Sequence, residues 1–169
     1  MPNVLMPSLT RALDAAGWAS LRFNYRGVGR SQGSPASELS ELDDVRGALA
    51  YAGKAIPVDE TAVIGWSSGS TIALWACAGD ADIDVFVGLS PPVSAGGPGI
   101  PALPKESMLR DWTTRTLLVR GTNDPACCAE DLAILAKTLS ADVETVSDAD
   151  HAFNGRLAEM SALVTWYLR

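Results

Sequence analysis

The 169 residues carry 20 acidic against 13 basic side chains, a formal net charge of -7 and a pI near 4.6, so a nucleic-acid backbone would be repelled rather than gathered. Hydrophobic residues make up 47% and charged residues 20%, which fits one domain with a real core over residues 1–169 and a globular chain, not a disordered one. No apolar run reaches the roughly 20 residues that a membrane-crossing helix needs, and no basic start followed by an apolar stretch marks a signal peptide.

Leu5, Leu9, Ala12, Leu13 and Ala16 share one face of a helix predicted from Leu5 to Ala16. Trp18 to Tyr25 reads as a strand. Gly27-x-Gly29-x-x-x-Gly33 follows it and mimics a dinucleotide loop. A phosphate site needs a helix at once, though, and here Ser34 and Pro35 come next. No nucleotide cofactor is expected. Leu39, Leu42, Val45, Ala48 and Leu49 predict a helix from Glu38 to Ala52. Thr61 to Trp66, Val85 to Leu89, Thr116 to Arg120 and Val143 to Val146 read as short strands, apolar enough to be buried on both faces. Ser68 to Ala78, Ala129 to Leu139 and Gly155 to Leu168 read as helices. Ser90 to Lys105, with five prolines, is the one long irregular stretch, followed by a short helix from Glu106 to Trp112. Alternation of this kind implies right-handed βαβ units and an α/β fold: a three-layer α/β/α sandwich around a mostly parallel, doubly wound sheet.

The chemistry concentrates at Gly65-Trp66-Ser67-Ser68-Gly69, a G-x-S-x-G that ends an apolar strand and opens a helix. Such a turn is too tight for large flanking side chains and lifts the serine hydroxyl out at the top of a sheet. Serine is a poor nucleophile until a base takes its proton. The single histidine, His151, lies downstream, after the last strand. Asp124 lies between them at a strand end, which gives the order Ser67, Asp124, His151. In this reading Ser67 attacks a carbonyl carbon, His151 moves the proton, and Asp124 fixes the imidazole tautomer. The Ser68 N–H supplies an oxyanion donor. Asp124 also precedes Pro125 and suits a turn, and Asp148 and Asp150 compete for the acid role, although they sit too close to His151 in the chain to orient it from a separate loop. Trp66, in the variable position of the motif, packs beside the site. Trp66 and Arg26 are the candidate substrate contacts, and Arg26 and Arg30 alternatively tie their own loop down. Cys77, Cys127 and Cys128 are odd in number with two adjacent, and neighbours rarely pair, so a reducing, cytoplasmic compartment is expected. With one histidine and no C-x-x-C, no metal site is expected.

Four segments in this order resemble the α/β-hydrolase superfamily, in its small, capless, dienelactone-hydrolase-like form. They are Leu21 to Ser31 after the family's fourth strand, the elbow Gly65 to Gly69, Leu117 to Asp124 before the acid, and Asp148 to Phe153 around the histidine. The resemblance implies a serine hydrolase that cleaves an ester, thioester or amide of a small acyl substrate through an acyl-enzyme, without a cofactor. It also implies that about three strands precede the helix at Leu5 in a complete member. One of these sits between Trp18–Tyr25 and Thr61–Trp66 and carries the second oxyanion donor. Without it, either those two segments pair directly or the chain is a shortened member, and an exposed sheet edge would invite a homodimer by strand addition. The alternative function is a non-catalytic binding protein on the same fold with an incomplete oxyanion hole.

Overall fold

Runs of Val, Ile and Leu that are apolar on both faces must be covered by helices on both sides. Four such runs form the sheet of this protein in the computed structural model, which describes residues 4–34, 39–79, 82–94 and 100–169. They are β1 (Ala62–Trp66), β2 (Val85–Leu89), β3 (Arg115–Gly121) and β4 (Asp142–Val146), in spatial order β1-β2-β3-β4 and all parallel. Val87 of β2 stands opposite Ile64 on one side and Leu117 on the other.

The pleat sends alternate side chains to opposite faces. Val85, Val87, Leu89, Leu117 and Val119 meet α1 (Leu5–Ala15) and α5 (Leu157–Tyr167), which contribute Leu5, Leu9, Leu13, Met160 and Val164. Phe86 and Leu118 face the other way, against Leu74 and Cys77 of α3 (Ser68–Cys77) and Leu132, Leu135 and Leu139 of α4 (Ala129–Leu139). The helix α2 (Leu42–Ala55) lies outside α3 and seats Leu42 and Val45 on Ile72 and Ala76. The three layers expected from the alternation are thus present. Pro7 falls in the first turn of α1, where its missing N–H has no intrahelical partner to lose. No helix among the described residues is long and apolar enough to cross a membrane.

Two expected elements differ in kind and a third in its bounds. Trp18 to Tyr25 is not a strand. Among the described residues, no backbone hydrogen bond involves an amide or carbonyl of residues 19–23, and residues 19–24 are exposed. Nor does this segment pair directly with β1. A cleft of about 790 Å³ separates the two, lined on one bank by residues 21–25 and on the other by residues 64–69. Alternating apolar residues make a strand only when a neighbour accepts their ladder, and no described strand does so here. The helix expected from Glu106 to Trp112 shrinks to a single 3-10 turn, Glu106–Met108. The chain leaves it to bury Leu109 against the α3/α4 layer and to let the Trp112 indole donate to the Thr116 hydroxyl. The helix expected from Glu38 begins at Leu42, Glu38 itself lying outside the described residues. It runs on to Ala55, where Ile56 turns extended ahead of Pro57. The stretch from Ser90 to Lys105 forms no helix or strand in its described part, residues 95–99 lying outside it.

Candidate active site

At the end of β1 the chain reverses into α3 within one residue. Ser67 sits at that point with φ 55° and ψ -132°, a strained conformation for a non-glycine residue. The reason for Gly65 is visible there. A Cβ built on it would run into the Gly69 carbonyl and lie 2.5 Å from Ser70 Cα, both backbone atoms that cannot yield. The second glycine is under less pressure, because a Cβ on Gly69 would meet only the Tyr25 hydroxyl, at an ordinary 3.6 Å. Ser68 opens α3, so its N–H has no intrahelical acceptor and is free to face a ligand.

Three residues from three strand ends converge. The Ser67 hydroxyl lies 2.8 Å from His151 Nε2, and His151 Nδ1 lies 3.0 and 2.9 Å from the two Asp124 carboxylate oxygens. A carboxylate only accepts, so the imidazole proton sits on Nδ1 and Nε2 keeps a lone pair for the serine hydroxyl. The Asp124 side chain is 0% exposed and that of His151 33%. Asp124 is fixed from behind by the N–H of Ala126, 2.9 Å from Oδ1.

The histidine loop is built from local hydrogen bonds. Asp150 accepts from the backbone N–H of Ala152 and Asn154, each at 3.0 Å, and from the Asn154 amide at 2.8 Å. Those bonds, the Asn154 backbone first, hold its carboxyl below the usual range. Asp150 is therefore occupied with its own turn and Asp148 faces Arg156, which leaves the imidazole to Asp124. At the base of the loop Gly121 packs so closely on the Ala149 carbonyl that no Cβ fits. The Trp66 indole N–H donates to the His151 carbonyl at 2.8 Å, and the two rings lie 5.6 Å apart. Trp66 also lines the cleft that holds Ser67. Nothing in the sequence pointed to this contact across 85 positions.

Arg26 is not brought to Ser67. Its Nε lies 3.0 Å and one terminal nitrogen 2.8 Å from Asp44 Oδ1, and its backbone N–H donates to Oδ2 at 2.9 Å. It lines a separate cleft with Asp43, Gly47 and Tyr51 of α2. Of the two readings open for it, the structure displays the loop tie. Asp44, the partner, gave no sign of this in the sequence, because the acidic pair Asp43-Asp44 at the start of an amphipathic helix reads as solvated surface.

The hydrogen bond from Arg26 holds the Asp44 carboxyl below its ordinary value. A carboxyl depressed in the folded state stabilises above its unfolded pKa, about 4, and that contribution fades as pH falls through the lowered value. Asp44→Asn should lower the melting temperature near pH 7 and flatten its decline between about pH 5 and 2. Thermal melts of both proteins across that range check the expectation, and parallel curves would refute it.

Burial raises the Tyr25 hydroxyl to about 12 with help from Glu41 and Asp44, so it stays protonated at the edge of the cleft. The Cys127 thiol is pushed up to about 12, chiefly by burial, and is no thiolate nucleophile. Among the described residues no group of three or more His, Cys, Asp or Glu could hold a metal ion.

Residues 2–97 match the family model described as the alpha/beta hydrolase fold. The uncharacterized protein RP471 of Rickettsia prowazekii is 28% identical over 99% of this chain and 72% of its own length. An alpha-beta serine hydrolase homologue from Coxiella burnetii is 27% identical with a TM-score of 0.84, covering 100% of this chain and 78% of its own. XC6422 from Xanthomonas campestris, a serine hydrolase without a lid, is similar in fold, with a TM-score of 0.80 at 24% identity over 100% of this chain and 74% of its own.

Proposed function

Because the chain belongs to the alpha/beta hydrolase fold family, we propose that it is a serine hydrolase which passes the acyl group of an ester, thioester or amide to Ser67 and then to water. The observation that carries this reading is the unbroken relay from the Ser67 hydroxyl through His151 to the buried Asp124. Ser67 Oγ attacks the carbonyl carbon while His151 Nε2 takes its proton. The tetrahedral oxyanion collapses, and the same proton goes to the leaving group. A water then repeats the sequence on the acyl-enzyme and releases the acid. The Ser68 N–H, free at the start of α3, faces the developing oxyanion.

The test is labelling with a fluorophosphonate probe and mass mapping, alongside hydrolysis of p-nitrophenyl acetate. The label should sit on Ser67, and Ser67→Ala should lose both signals. Equal nitrophenol release by parent and variant would remove the serine from the mechanism. Only one oxyanion donor is identified, and this favours a second reading, a non-catalytic binding protein on the same scaffold. A folded protein with neither label nor turnover would support it.

A further inference from the structure

We propose that Trp66 is the positioning residue for the general base: its indole N–H holds the His151 main chain where Nε2 meets the Ser67 hydroxyl. This inference rests on the hydrolase reading above. Trp66 is the last residue of β1 and the peptide neighbour of Ser67. Its backbone therefore sets the nucleophile, and its side chain reaches across 85 positions to set the base. One residue fixes the separation of the two reacting groups.

Asp124 grips the His151 ring, but the other anchors of the histidine loop hold its neighbours and not the His151 main chain. Asp150 holds Ala152 and Asn154, the Asn123 N–H holds the Ala149 carbonyl, and Thr122 holds the Asp148 N–H. Phe153 is buried, but its N–H returns to Asp150. The His151 carbonyl is held by Trp66 at 2.8 Å, and the indole also leans on the imidazole at 43°. Asp124 holds the ring at Nδ1, so what the carbonyl contact adds is the placement of the main chain from which the ring hangs.

Trp66→Phe keeps an aromatic ring in the cleft wall and deletes the donor. A positioning role predicts that kcat falls about 10- to 100-fold, the scale of a misplacement near 1 Å, while KM stays within about twofold. The second readout needs no turnover. The chain has one histidine, so protein grown on ring-15N histidine reports one imidazole. The parent should show Nδ1 protonated and Nε2 bare. In Trp66→Phe the released main chain should draw the ring off Asp124, and both nitrogens should shift toward the average of exchanging tautomers.

A raised KM with unchanged kcat would make Trp66 a substrate contact and overturn the proposal. Parent-like kcat with a parent-like imidazole spectrum would overturn it too. If circular dichroism shows the phenylalanine variant unfolded, Trp66→Met, which fills the slot and also lacks a donor, is read by the same two measurements. If Ser67→Ala hydrolyses ester as fast as the parent, the hydrolase reading fails alone, and the imidazole spectra still decide whether Trp66 orients His151.

Discussion

Asp124→Asn lowers kcat for ester hydrolysis about 10,000-fold near neutral pH and leaves the protein folded. The size follows from which atoms can donate. In the parent, Asp124 Oδ1 accepts from the Ala126 N–H, and both oxygens face His151 Nδ1. An asparagine that keeps its carbonyl oxygen on Ala126 turns its NH2 toward Nδ1. Nδ1 must then accept, so the imidazole proton moves to Nε2. Nε2 donates to Ser67 and can no longer take its proton. A tautomer error of this kind costs about four orders of magnitude in triad enzymes. The amide has nearly the volume of the carboxylate and keeps a partner on each side, so the expected loss of stability is small. Single-turnover kinetics and a thermal melt on the same preparation check both halves. A variant that keeps more than about a tenth of parental kcat would show that Asp124 does not set the tautomer.

Filling the cleft between residues 21–25 and β1 with a strand should raise stability and rate together. Among the described residues β1 pairs with β2 alone, and residues 21–23 of the facing bank have no backbone hydrogen bonds. An extended segment between them would pair on both sides. Each new hydrogen bond contributes about 0.5–1.5 kcal/mol net, and a melting temperature rises by about 2–4 °C per kcal/mol for a chain of this size. A homologous three-strand segment placed ahead of Leu5 should therefore add on the order of 10 °C. If its loop also brings a second oxyanion donor, turnover should rise about 100- to 1000-fold. Melts and ester hydrolysis for the two proteins decide the matter. Equal melting temperature and equal turnover would show that a strand in this cleft supports neither stability nor rate.

What could be read from the residues was what is local or strongly periodic. β2 and α4 carry dense apolar patterns and fall where expected, residue for residue. The elbow was legible because glycine, serine and the flanking strand all act within a few positions. Trp18 to Tyr25 misled because Leu21, Phe23 and Tyr25 alternate with Arg22 and Asn24 as strand residues do. Pairing is decided by a distant neighbour, and Leu21 and Phe23 instead stand 48% and 42% exposed. Tertiary hydrogen bonds were illegible for the same reason. Arg26 showed no sign of choosing Asp44 over an acidic substrate, and the indole of Trp66 gave no hint of the His151 carbonyl.

The order β1-β2-β3-β4 also dictates when activity returns during refolding. Ser67 and His151 are 84 positions apart, and the two meet only after the last crossover has laid β4 beside β3. Parallel pairing closes a long loop at each step and is slow for that reason. Helical signal from α2 and α3 can recover while β4 is still free, because those helices pack on each other and on β1 and β2. In a stopped-flow experiment from denaturant, ester-cleaving activity should therefore lag behind far-ultraviolet ellipticity, and the lag times the docking of the C-terminal strand and α5.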